Sequence, residues 1–290
     1  MRVLVTGADG QVGQALQRAA WPVNVVVSMQ RRTALDITDP KAIEAAVATL
    51  QPDLLINAAA YTAVDRAEND AARAFAVNRD GAANLAGVCA AQDVALLHIS
   101  TDYVFDGSGN RPWREDDATN PLGVYGASKL AGEEAVRERL DQHVILRTAW
   151  VYAAQGQNFV RTMLRLADER DEVRVVDDQI GNPTPADAIA AAIVRIAAAI
   201  ADKQAHWGTF HFAGAGDISW YGFARAIFDG ATWLERTPRI TPIRTEDYPT
   251  PARRPKNSRL DCTRIRTAYG IETTPWREQL SRVLKDIRPT

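Results

Sequence analysis

Residues 2–13 read RVLVTGADGQVG, and their reading decides the fold. The β-branched run RVLVT (2–6) stops at Gly7, and QVGQALQRAA (11–20) then carries apolar residues at helical spacing. A strand therefore runs through a tight glycine turn into a helix. Gly7, Gly10 and Gly13 have the spacing GxxGxxG. Such glycines permit a sharp turn, a close backbone approach to a pyrophosphate, and close packing of helix on strand. The helix that follows offers free N–H groups and the positive end of its dipole to phosphate. A glycine triple alone is weak evidence. Here it closes the first strand and opens the first helix, the context that a dinucleotide site requires.

Working outward, VNVVVSM (23–29), DLLINAAA (53–60), ALLHIS (95–100) and the start of HVILRTAWVY (143–152) read as further strands. Helical patterns at 39–50 and 72–92 lie between them, the first opening with Asp39 and Pro40. Alternating strands and helices, with solidly apolar strands, predict a parallel sheet buried on both faces. The expected class is α/β, a Rossmann-type doubly wound parallel sheet with a smaller C-terminal substrate lobe. Residues 1–150 form the expected dinucleotide-binding domain and 151–290 mainly the substrate-binding lobe, with the chain returning to the first domain around 172–213. In the second half, 158–170 reads as an amphipathic helix. EVRVVDD (172–178), an Ala-rich helix and GTFHFAG (208–214) look like one more strand–helix–strand set. The Pro-, Arg- and Thr-rich stretch 237–256 reads as irregular.

The bulk numbers fit an ordinary soluble enzyme. At 290 residues and 46% hydrophobic, the chain can bury a large core. A net charge of -2 gives no basic field for nucleic acid or an anionic membrane. Cys89 and Cys262 form no disulfide or metal pattern and read as reduced thiols in a cytoplasmic protein. His98, His143, His206 and His211 are scattered, so no metal is expected, and His98 reads as a core residue. The apolar run 188–201 contains Arg195 and is too short for a bilayer. The sequence leaves a homodimer open.

The cofactor candidates follow from the turn: Gly7, Gly10, Gln11, Val12 and Gly13 at the pyrophosphate, Asp36 and Ile37 near the adenine, and the small residues Ala58, Ala59 and Ala60, with Thr62, beyond the third strand. The second strand runs into SMQRR rather than an acid. Arg31 there leans toward NADPH, or tolerance of NADPH and NADH alike, against the plainer reading of a solvated loop arginine.

The stretch VYGASKL (124–130) places Tyr125 and Lys129 four apart, on one face of a helix. An ammonium near a phenol stabilises the phenolate and fits the tyrosine for proton exchange. Thr101 lies just past a strand end, where open α/β sheets bind ligands. TGADGQVG, NAAA, the helix carrying Asn78, STDYVF and YGASK occur in the order found in the extended short-chain dehydrogenases/reductases, which the whole chain resembles. By that resemblance Thr101, Tyr125 and Lys129 form a catalytic triad, and Tyr125 is the acid or base. Dehydratases of that family carry Thr-Asp-Glu at this point. Here Asp102 is followed by Tyr103, so the acid/base pair for elimination is incomplete.

NAAAYTAVDRAE (57–68), NPLGVYGASKLAGE (120–133), DDQIGNPT (177–184) and YPTPARRPKNSRLD (248–261) resemble the family's 4-keto nucleotide-sugar reductases. The resemblance implies NADPH- or NADH-dependent reduction of dTDP-4-dehydro-L-rhamnose to dTDP-L-rhamnose, a cell-surface polysaccharide precursor. It also implies a substrate cleft lined by Thr62, Val64, Thr101, Asp102, Tyr103 and Trp150. Trp150 and Tyr103 could equally be packing aromatics. Arg254 is a candidate contact to the substrate diphosphate. The alternatives are another nucleotide-sugar reductase or epimerase of the family, or a non-catalytic cofactor-binding regulatory subunit.

Overall fold

The computed structural model describes residues 1–288. β1 (Arg2–Thr6), α1 (Gln11–Arg18), β2 (Val26–Gln30), α2 (Pro40–Leu50) and β3 (Leu54–Asn57) alternate as the apolar runs predict. Two short helices follow, α3 (Val64–Ala67) and α4 (Ala71–Phe75). A π turn over Ala76–Asp80 joins α4 to α5 (Gly81–Ala91). The first half closes with β4 (Ala95–Thr101), α6 (Val124–Arg139) and β5 (His143–Thr148). Next come β6 (Val151–Tyr152), α7 (Phe159–Glu169), β7 (Glu172–Val176), β8 (Ile180–Gly181), β9 (Thr184–Pro185) and α8 (Ala186–Ala201). The chain ends with β10 (Gly208–His211), β11 (Ile218–Ser219), α9 (Trp220–Gly230), β12 (Arg239–Ile243), β13 (Asn257–Ser258), α10 (Thr263–Tyr269) and α11 (Trp276–Ile287).

Six strands form one parallel sheet in the order β10-β5-β4-β3-β1-β2. From β1 the chain winds one way to β2 and the other way to β3, so a crevice opens beyond the carboxyl ends of β1 and β3. One face packs Leu16 of α1, Ile189 and Ile193 of α8 and Ile265 of α10 on Val3, Val5 and Ile56. The other packs Ile43 and Val47 of α2, Leu85 of α5 and Val136 of α6 on Leu4, Leu55 and Leu96. Burial on both faces is why these strands carry so few polar residues. A separate apolar cluster joins α7, α9 and α11 around Phe223 and Trp276. Among the described residues, no helix is long and apolar enough to cross a membrane.

Three readings change. The second strand begins at Val26, because Pro22 to Asn24 make the turn into it. β7 does not share a sheet with β10. It pairs in parallel with β12, Glu172 to Val176 against Arg239 to Ile243. β12 lies inside the stretch read as irregular. Its Pro242 suits a two-stranded ribbon, which has no need of every ladder N–H. α8 packs on α1, and β10 extends the main sheet beside β5.

Candidate active site

The glycine turn is held by contacts no side chain could share. Gly7 has φ +74°, and a Cβ there would lie 2.5 Å from the Ala58 carbonyl carbon and the Ala59 nitrogen. A Cβ on Gly13 would lie 2.1 Å from the Gly7 oxygen, so α1 can dock on the turn only without one. No side chain caps the start of α1, which leaves its first N–H groups, at Gln11, Val12 and Gly13, for an anion. With the small residues Ala58 to Ala60 partly exposed beside it, this cradle fits a dinucleotide. Arg31 pairs with Asp9 of the turn at 3.2 Å. Asp36 accepts bonds from the Thr38 N–H and hydroxyl, which hold its carboxyl below the usual range. The Ile37 side chain is elsewhere: it is buried in the core against Gly81, and its carbonyl accepts from Asn84.

Behind the cradle lies a polar row that crosses three strands in register. Thr6 is aligned with Asn57, and Asn57 with His98. The Thr6 hydroxyl donates to Asn57 Oδ1 at 2.8 Å, and Asn57 Nδ2 lies 3.0 Å from His98 Nδ1. His98 Nε2 is 3.2 Å from Lys129 Nζ, which also donates to the Ile99 carbonyl at 2.7 Å. His98 is buried, as a core residue should be, and its two ring nitrogens face Asn57 and Lys129. Burial lowers Lys129 to about 8.

α6 carries Tyr125 and Lys129 one turn apart, both against β4, and several residues fix its entry. Glu68 accepts the Val124 N–H at 2.8 Å, so an acid sits at the positive end of the helix. Gly126 passes so close to the Tyr103 carbonyl that a Cβ would lie 2.2 Å away. Gly132 does the same at the Asn78 carbonyl, at 2.1 Å. Asn78, buried in the π turn, accepts the Tyr61 N–H and donates to the Ser128 hydroxyl, tying the loop after β3 to α6. Burial pushes the Tyr125 phenol up to about 12, opposed by the Thr101 hydroxyl. Tyr103 meets the Tyr125 ring edge-on, at 5.5 Å between centroids.

Thr101 ends β4 and donates to Asp102 Oδ1 at 3.0 Å. Asp102 is 2% exposed and its Oδ2 has no partner. Burial pushes this carboxyl up to about 6. Thr62, exposed on the loop after β3, accepts the N–H of Val64, the first residue of α3. Trp150 holds a left-handed φ of 49°, rare for a bulky residue, and stacks on Trp220 at 3.5 Å. Gly181 makes room for its ring. Arg254 is tied down by Asp65 at 2.8 Å and by Thr250, beside Tyr103 rather than free in the cleft. Glu68, His98, Asn57 and Trp220 were not singled out as site residues by their local patterns.

A doubly wound sheet with a glycine cradle at β1, a threonine at the end of β4 and a Tyr–Lys pair on α6 defines the class: an oxidoreductase of the extended short-chain dehydrogenase/reductase type. Within that class, the family described as RmlD substrate binding domain matches residues 1–288, and the chain belongs to it. A protein of Sinorhizobium fredii named dTDP-4-dehydrorhamnose reductase is 44% identical over 98% of this chain and 97% of its own. A crystal structure of a dTDP-4-dehydrorhamnose reductase from Clostridium acetobutylicum superposes with a TM-score of 0.92 at 38% identity, covering 99% of both chains. One from Bacillus anthracis, in complex with NADP, gives 0.90 at 36% identity, covering 98% of this chain and 99% of that one.

Proposed function

We propose that the protein reduces the 4-keto group of dTDP-4-dehydro-L-rhamnose to dTDP-L-rhamnose, with NADPH or NADH as reductant. What supports this reading is Tyr125 beside Thr101 at the end of β4, with Lys129 one turn further along α6, in a chain that matches the reductase relatives from end to end. When bound, the reduced nicotinamide supplies hydride. The cradle of Gly7, Gly10, Gln11, Val12 and Gly13 holds the pyrophosphate, Arg31 and Asp36 lie toward the adenosine end, and Ala58 to Ala60 form the floor. The backbone of Ile37 and the Thr62 hydroxyl border the cofactor.

Thr101 and Tyr125 hydrogen-bond the sugar's C4 oxygen as negative charge grows on it. Tyr125 gives its proton. A phenol raised to about 12 is fully protonated at neutral pH, as a proton donor must be. Lys129 stabilises the phenolate left behind. Asp102, with an unpartnered carboxylate oxygen, accepts a sugar hydroxyl. Tyr103, Trp150, Thr62 and Val64 pack the sugar and nucleotide. Arg254, steadied by Asp65, faces the diphosphate. The setting is cytoplasmic, and light scattering would separate a monomer from a homodimer.

The test is to supply the 4-keto sugar nucleotide with NADPH, and separately NADH, and to follow cofactor oxidation and product together. Oxidation matched by dTDP-L-rhamnose is expected. Tyr125→Phe should lower turnover roughly 100- to 10,000-fold. Full activity in that variant would remove Tyr125 from its role. NAD retained through purification, with epimerised product and no need of reductant, would favour an epimerase. Cofactor binding without any turnover would favour a regulatory subunit.

A further inference from the structure

The polar row that ends at Lys129 has a defined sense, and Asn57 sets it. The Ala59 backbone N–H, which can only donate, points at Asn57 Oδ1 at 3.1 Å, and the Thr6 hydroxyl reaches the same oxygen at 2.8 Å. The amide oxygen is therefore fixed on that side, and Asn57 Nδ2, a donor only, faces His98 Nδ1 at 3.0 Å. Nδ1 must accept, so the neutral ring carries its proton on Nε2. That N–H faces Lys129 Nζ at 3.2 Å. An ammonium has three donors and no acceptor, and would set N–H against N–H. A neutral amine offers its lone pair there and still donates to the Ile99 carbonyl at 2.7 Å.

We propose that the Thr6–Asn57–His98 row holds Lys129 as a neutral amine in the cofactor-free protein, with His98 a positioning residue that donates its Nε2–H to Nζ. The surroundings agree. His98 is fully buried, which itself disfavours an imidazolium, and the titratable groups facing it are Lys129 and Arg137 from α6 and His143 from β5, none of them an acid. Burial, set against the Glu133 charge, brings Lys129 down to about 8, and the facing N–H favours the amine further. Glu133, one turn along α6, opposes this, but its oxygens are already held by Ser100, Arg137 and Arg147. Tyr125, on the same helix, stays protonated and adds no charge.

The arrangement couples two parts of the site. For Lys129 to take a proton, His98 must move its own to Nδ1 and the Asn57 amide must turn over. The Ala59 N–H then loses its acceptor. Ala59 lies in the small-residue floor assigned to the cofactor, so the charge on Lys129 and the state of that floor change together. The catalytic meaning rests on Lys129 as the partner of Tyr125, but the protonation state is read without cofactor or substrate.

The test is a long-range 1H–15N spectrum of the histidine rings in cofactor-free protein between pH 6 and 8. The chain has four histidines. His98→Gln identifies the signals of His98. If that variant does not fold, His143→Gln, His206→Gln and His211→Gln assign them by elimination. A neutral ring with the proton on Nε2 throughout is expected. A proton on Nδ1, or an imidazolium, at any pH in that range overturns the proposal. Asn57→Asp puts an acceptor where Nδ2 was, and should move the His98 proton to Nδ1. An unmoved proton in the folded variant also overturns it; if the variant does not fold, the wild-type spectrum decides alone. Failure here is distinct from failure of the reductase reading. A protein inactive on the sugar nucleotide can still show the Nε2 proton, and an active one can lack it.

Discussion

Asp102→Asn should stabilise the protein at neutral pH while it damages turnover. Asp102 is 2% exposed, and one carboxylate oxygen has no partner. Burial raises its pKa from 3.8 to about 6, although the Ser258 and Thr101 hydroxyls oppose the shift. A carboxyl with a raised folded-state pKa inverts the usual acid case. Between pH 3.8 and about 6 the folded protein binds more protons than the unfolded chain, so stability falls as pH rises through that window. Above it the full penalty stands, about 3 kcal/mol for a shift of this size. Asparagine removes the charge but leaves a buried polar atom unpartnered, which gives back about 1–2 kcal/mol. The variant should therefore be more stable by about 1–2 kcal/mol at pH 7, and at pH 4, where only about 0.5 kcal/mol of the charge penalty remains, less stable by about 0.5–1.5 kcal/mol. Urea unfolding at both values measures it, with the slope compared to ensure that both proteins unfold alike. A gap that does not change with pH, or a variant weaker at pH 7 than at pH 4, would refute the argument. The same substitution should lower turnover, because the unpartnered oxygen is the one assigned to a sugar hydroxyl. Stability withheld at a site for the sake of its chemistry is a familiar trade.

Three further outcomes follow from the geometry. Gly13→Ala places a Cβ 2.1 Å from the Gly7 oxygen and 2.8 Å from Ala8 Cα, both backbone atoms. α1 must then lift off the turn, and kcat/KM should fall about 100-fold, with weaker NADPH binding in a fluorescence titration; unchanged binding would discount the cradle. Arg31→Ala should weaken NADPH relative to NADH by roughly tenfold, one charge-assisted bond to a 2′-phosphate, and equal loss with both cofactors would return Arg31 to the role of a solvated partner of Asp9. Arg147→Met strips the buried Glu133 of its bonds at 2.7 and 2.8 Å and should cost about 3–5 kcal/mol in urea unfolding. Glu133→Gln combined with Arg147→Met should cost less than that single change, and a double variant that simply adds the two losses would show the pair to be uncoupled.

What the sequence made legible was local. RVLVT, LLIN and ALLHIST are short apolar runs that end at turn signals, and glycines spaced for a turn and a helix leave few other structures open. Tyr125 and Lys129 were legible because the spacing within one helix fixes their relation. Pairing between distant segments was not. β7 alternates like any half-buried strand, and nothing in EVRVV tells it to pair with residues 239–243 rather than with the main sheet. Pro242 hid β12 altogether, since a proline argues against a strand until the strand is known to lie in a two-stranded ribbon. The row behind Lys129 was illegible for the same reason, yet it left a trace. Thr6, Asn57 and His98 each stand at or near the carboxyl end of a strand that is otherwise solidly apolar. A parallel sheet buried on both faces has no solvent to satisfy a polar side chain, so each such residue must find a partner in the protein. Three in three neighbouring strands can find one another only if they fall in register, and they do. Polar exceptions in buried parallel strands therefore belong with glycine spacing as signals of a site. The apolar pattern says where the sheet lies, and its exceptions say which end of it does the chemistry.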